Sequence, residues 1–151
     1  MRGLFLGLCL CLSCLLPAAA LAETPFAPGQ AWTLSDKSFP DTQVVVDKVE
    51  TWNNQPIVHV SVMHVPIPGQ LGQSQQFITV QHMPFTALAL RASVASLVQA
   101  DGQPFADFKN GYQQWHDAKG GVYTITVGEA LRLVLHMLPV TDNGVSSAGQ
   151  T

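Results

Sequence analysis

Ile57-Val58-His59-Val60-Ser61-Val62-Met63-His64-Val65 is the stretch on which the fold turns. Val58, Val60 and Val62 fall on one side of an extended chain. His59, Ser61 and Met63 fall on the other, the period-two alternation of a half-buried strand. Upstream, Asn53-Asn54-Gln55-Pro56 is a turn signal, and Gln43 to Glu50 before it has the β-branched density of a second strand. Ala31-Trp32-Thr33-Leu34 adds a short strand after a lead-in containing Pro25, Pro28 and Gly29. Downstream, the eleven residues from Pro66 to Gln76 read as a polar loop, and Phe77 to His82 as the next strand, with Ile78 and Val80 on one face. Consecutive strands separated by turns predict an antiparallel meander.

The period then changes. Over Pro84 to Gln99, Leu90, Val94, Leu97 and Val98 form a stripe at helical spacing, which predicts a first helix. A second is expected from Pro104 to Lys119, with Phe105, Phe108, Tyr112 and Trp115 on one face and Gly120-Gly121 as its stop. Gly111 weakens its middle by about 1 kcal/mol relative to alanine. Val122 to Thr126 reads as a short strand. Thr126-Val127-Gly128-Glu129 matches the S/T-x-x-E capping box and opens a third helix that ends before Pro139. With the short 31–34 strand set aside, the order βββααβα defines an α+β class: an antiparallel sheet of three to four strands covered on one face by about three helices. Strand and helix do not alternate, which excludes a doubly wound nucleotide-binding fold.

The ends of the chain set its expected compartment. Met1 and Arg2 precede an apolar run from Leu4 to Leu16, then Pro17 and the small-x-small site Ala20-Leu21-Ala22. This is the pattern of a secretory leader cleaved after Ala22. The run falls short of the about 20 residues that span a bilayer. Domain organisation follows: a signal peptide over 1–22, one α+β domain over 23–139, and a disordered tail over 140–151 with almost no apolar residue. Cys9, Cys11 and Cys14 all lie in the leader, so the expected mature chain has no disulfide, thiol nucleophile or thiolate ligand. Cys11-Leu12-Ser13 fits a lipid-attachment site at Cys14 poorly. A cysteine-free exported chain of this size fits a bacterial periplasmic or secreted protein held together by one apolar core.

Composition narrows the partners. Without Arg2, six basic residues face ten acidic ones, a net charge of −4, and only 11% of the whole chain is charged. No basic patch exists, so nucleic acid and anionic membranes are poor partners. After Ala22 no apolar run approaches membrane length, so no transmembrane anchor is expected in the mature chain.

Residues with chemical potential are scattered. His64 and His82, each beside a methionine, are the weak candidates for a soft-metal site. Neighbours on a strand point to opposite faces, and the spacing matches no recognised ligand set, so no metal is assigned. His116, between Trp115 and Asp117, is expected exposed at a helix end. Asp47 and Glu50, three apart on a strand, face opposite ways and form no carboxylate dyad. No G-x-S-x-G, H-E-x-x-H or glycine-rich phosphate loop occurs, and no catalytic or cofactor-binding residue is assigned.

Two features point to recognition instead. The third helix is apolar around most of its circumference, with only Glu129, Arg132 and His136 polar. Covering one side of a sheet needs a narrower stripe, so its surplus face is expected either inside the molecule or against another chain, including a second copy. Leu133, Met137, Arg132 and His136 are therefore partner-binding candidates. So are Gln70, Gln73, Gln75 and Gln76, whose loop is longer than a hairpin needs. The function expected is a small exported binding protein acting by surface complementarity: an inhibitor, an immunity-type protein or an envelope-complex accessory. The alternatives are a hydrolase-like enzyme using dispersed groups such as His59, Asp47 and Gln81, and a metal-handling protein using the His-Met pairs.

Overall fold

A computed structural model of the protein describes residues 24–69 and 74–138. The leader, the tail and the loop residues Gln70 and Gln73 lie outside them. Along the chain come β1 (Ala31–Leu34), β2 (Gln43–Trp52), β3 (Gln55–Ile67), β4 (Gln76–Thr86), α1 (Ala87–Ser93), β5 (Val94–Gln99), α2 (Phe108–Asp117) and α3 (Val127–Met137). The strands form one sheet in the order β4-β3-β2-β1-β5, antiparallel throughout. The fold is α+β. Among the described residues no helix is long and apolar enough to cross a membrane.

The meander from β2 to β4 forms where the alternation places it. Trp52 pairs with Gln55, leaving Asn53 and Asn54 as a two-residue turn with φ of 49° and 61°. Asparagine tolerates this left-handed region, and such turns match the twist of the strands they join. On one face, Val44, Val46, Val58, Val60, Val62, Val65, Met83 and Phe85 are buried against Leu90 of α1 and Ala130 and Leu131 of α3. Ser93 ties these helices together: its Oγ donates to the Ala89 carbonyl at 2.7 Å and accepts from the Val127 amide at 2.9 Å.

Three expectations are corrected. The helix over Pro84 to Gln99 is only seven residues long, because β4 runs on to Thr86 and residues 94–99 are strand. Thr86 Oγ1 caps α1 by accepting from the Ala89 amide at 3.2 Å. The helix then ends because β1 has an open edge: Leu34 pairs with Val94 and Trp32 with Leu97. Backbone pairing outweighs the helical stripe. Second, Val122 to Thr126 makes only one bridge, Tyr123 to Phe85, so the element order is ββββαβαα. Third, the helices do not share a face. α1 and α3 cover the valine side of β3, while α2 lies on the side of His59.

The second helix also starts later than Pro104. The Phe105 amide donates to Asp47 Oδ1 at 2.6 Å, which holds the preceding turn to the sheet, and α2 begins at Phe108. At its end Lys119, not a glycine, takes the left-handed conformation (φ 50°). Gly120 is needed for space, since a Cβ there would lie 2.3 Å from Trp115 Cδ1. The third helix begins as its capping box predicts: the Glu129 amide donates to Thr126 Oγ1 at 3.3 Å and the Thr126 amide to Glu129 Oε2 at 2.9 Å.

Candidate functional site: a covered polar network and an open apolar cleft

Two bulges gather polar side chains on the α2 face. Val46 pairs with Val60 and Lys48 with His59, so Asp47 is an extra residue in β2. Val60 pairs with Met83 and Val62 with Val80, so β4 carries an extra residue between Val80 and Met83. Each bulge breaks strict alternation and re-aims a side chain. His82 thereby meets His59, and Asp47 and Glu50 both reach the α2 side, against the expectation that they face apart. They still form no dyad, because each is engaged elsewhere.

The result is a continuous chain of hydrogen bonds. Glu50 Oε1 accepts from His59 Nε2–H at 2.8 Å, which leaves neutral His59 with a bare Nδ1. That nitrogen accepts from His82 Nε2–H at 3.0 Å, with the two rings stacked 5.2 Å apart. Lys48 Nζ donates to Glu50 Oε2 at 2.5 Å and to the Tyr112 hydroxyl of α2. Beside this chain, Ser61 Oγ lies 2.7 Å from Asp47 Oδ2 and 2.8 Å from the Gln81 carbonyl. Among the described residues, every buried side-chain nitrogen and oxygen has a partner.

Burial and pairing set the charge states. Burial pushes the Asp47 carboxyl up to about 6, against the opposing hydrogen bonds from Ser61 and Phe105. Burial, with help from neighbouring His59, holds His82 down to about 4. His59 is also lowered by burial, although Glu50 pulls the other way. For Glu50, burial raises the pKa, but the hydrogen bonds from Lys48 and His59 together outweigh it and the net direction is down. The network therefore holds a neutral histidine pair beside a Lys48–Glu50 ion pair.

A carboxylate orienting a histidine is the arrangement of a general base. Space argues against that use. Trp115, Tyr112 and Phe108 cover His59 at centroid distances of 4.9, 5.1 and 6.3 Å. A Cβ on Gly111 would lie 2.6 Å from the Cβ of His82, so α2 rests directly on this histidine. The aromatic stripe thus packs as core, with polar groups beneath it. Among the described residues no cluster of three or more His, Cys, Asp or Glu side chains could hold a metal.

Clefts among the described residues include two that contain no member of the network. One, of about 660 Å³, is polar and lined by Asp41, Thr42, Gln43, Met63 and His64 among others. His64, the other weak metal candidate, lies away from the His59–His82 pair. It sits at a further bulge with φ of 59°, exposed, its ring stacked 3.9 Å from that of Phe77. The other, of about 650 Å³, is mainly apolar and runs between α1 and the start of α3, past Leu88, Ala92, Ile125 and Glu129.

The partner-binding candidates are dispersed. Leu133 and Met137 are 54% and 74% exposed on one side of α3, and Leu88 of α1 is 82% exposed. Arg132 is occupied, donating to Asp36 Oδ2 at 2.6 Å and Ser38 Oγ at 3.1 Å. His136 is exposed. Gln75 bonds back to the Ile67 and Gln76 carbonyls at 2.7 and 3.0 Å, and Gln76 opens β4. What sequence reasoning missed is the Lys48–Glu50–His59–His82–Tyr112 assembly. Its signal was present in the polar positions of the strongest strand, His59 and Ser61, which would otherwise sit bare opposite an aromatic helix. No protein-family model matches the chain, and no curated protein or solved structure matches it significantly.

Proposed function

We propose that this is a small exported binding protein that acts by surface complementarity through the exposed side of α3 and the neighbouring part of α1. The observation that carries the reading is Leu133 and Met137, one turn apart on α3 and more than half exposed in a helix that buries Val127, Ala130 and Leu131. Large apolar side chains held in water on a rigid helix mark an interaction surface. The rest of the molecule supports this. His59 is fully buried beneath α2, with Phe108, Tyr112 and Trp115 against its ring, which weighs against its use as a base.

The simplest partner for such a face is a second copy of the chain, since a two-fold axis beside α3 buries the same residues from both sides. Sedimentation equilibrium across a concentration series tests this. A reversible dimer is expected, and Leu133→Glu with Met137→Glu should shift it to monomer while the circular dichroism spectrum stays unchanged. A strict monomer that also captures no envelope protein overturns the reading. Export itself is tested by the N-terminus of the native product, which should be Glu23.

A further inference from the structure

The cleft between α1 and α3 has a composition that selects its ligand. Its walls are apolar: Leu88 and Ala92 on the α1 side, Ile125 on the other. Its volume of about 650 Å³ lies within the range of single small-molecule pockets. Most hydroxyls along it are already engaged. Thr86 Oγ1 caps α1, and Thr126 Oγ1 donates to Glu129 Oε2 at 2.6 Å. Among the described residues, Glu129 is the one charged residue that lines it. Only its Oε2 joins the capping box, so Oε1 has no hydrogen-bond partner among the described residues. The nearest cation on α3, Arg132, donates its hydrogen bond to Asp36 at 2.6 Å and reaches Glu129 only through space.

We propose that this cleft binds a small amphiphile made of an aliphatic chain and a cationic amine, the chain along Leu88, Ala92 and Ile125 and the ammonium on Glu129. This deepens the binding reading, resting on it for the role of this face but not on dimer formation. An apolar slot alone would accept any aliphatic chain. The single carboxylate at its end supplies the choice of head group: it attracts an ammonium, repels a carboxylate and gains nothing from an alcohol. Hydrogen bonds from the Thr126 side chain and backbone hold the Glu129 carboxyl below the usual carboxylate range, so the charge persists in mildly acidic conditions.

Isothermal titration of the full chain with decylamine, decanol and decanoate, each below its micelle concentration, reads the proposal. Decylamine should bind best, decanol about threefold more weakly, the ratio that an exposed ion pair supports, and decanoate weakest. Added salt should erase the difference between decylamine and decanol. Glu129→Gln keeps a capping box, since glutamine serves that position too, and should bring decylamine to the level of decanol. Ala92→Phe, at an exposed helix position, should fill the slot and abolish binding of all three. Equal binding of the three probes, or no decylamine binding by a folded protein, overturns the proposal. So does binding of a lysine-rich peptide without binding of decylamine, which would assign the cleft to a protein segment. A dimer that ignores decylamine removes the ligand and leaves the interaction reading standing; a monomer that binds it does the reverse.

Discussion

The two faces of the sheet are built from the same strands on different terms. Under α1 and α3, Val44, Val46, Val58, Val60, Val62, Met83, Phe85 and Leu131 bury hydrocarbon against hydrocarbon. On the α2 side, Phe108, Tyr112 and Trp115 pack on His59 and His82, and the buried polar atoms of these histidines and of Asp47, Glu50 and Ser61 are paired. The first face is held by a non-directional force proportional to area. The second is held by directional bonds, each of which fails badly if one partner is lost. One strand, β3, supplies both, so its alternation divides tolerance from precision.

Deleting apolar bulk should show the largest effect. Phe85→Ala, at a fully buried position, is expected to cost about 3–5 kcal/mol by urea denaturation. A smaller value would mean that α1 and α3 collapse into the space and that this face is looser than its packing implies.

Substitutions that conserve shape separate the faces more sharply. Leu131→Met should cost less than about 1.5 kcal/mol. His59→Leu should cost about 2–3 kcal/mol, because it strands the His82 N–H and leaves Glu50 Oε1 only the long 3.3 Å bond from the Tyr112 hydroxyl. Equal losses from the two variants would end the distinction.

Between pH 6.5 and pH 4 the largest shifts belong to the α2 face. His82 titrates at about 4 in the folded chain against 6.5 for an ordinary histidine. Between those values the unfolded chain binds a proton that the folded chain refuses, so His82 lowers stability as pH falls from 6.5 to 4. Asp47 works oppositely. Its pKa is raised to about 6 from 3.8, so across that interval the folded chain binds the extra proton and stability gains as pH falls. The two largely offset in the native protein. Asp47→Asn should unmask the histidine, with a loss of about 2 kcal/mol on going from pH 6.5 to pH 4. A flat profile in that variant would show that His82 is not shielded.

The smallest expected effect is at Gly111. Alanine improves helix propensity by about 1 kcal/mol, yet its Cβ would meet the Cβ of His82 at 2.6 Å. Overpacking should win and leave Gly111→Ala about 1–2 kcal/mol less stable, with altered His82 ring resonances by NMR. Stabilisation instead would show that α2 floats above the sheet.

The sequence by itself determined the α+β class, the meander through β2, β3 and β4, and the capped start of α3. Each rests on local chemistry: alternation, paired asparagines, and a Thr-x-x-Glu box. It also marked Leu133 and Met137 as surplus on their helix. Only the tertiary structure decided that residues 94–99 are strand, because the open edge of β1 lies some sixty residues away and its backbone groups need partners. Only tertiary structure put α2 opposite the other helices, over His59. Alternation predicts Asp47 and Glu50 on opposite faces, and one extra residue in β2 overturns it. A bulge is set by how two strands meet, which no single strand spells out, and both polar assembly and cleft arise from such meetings.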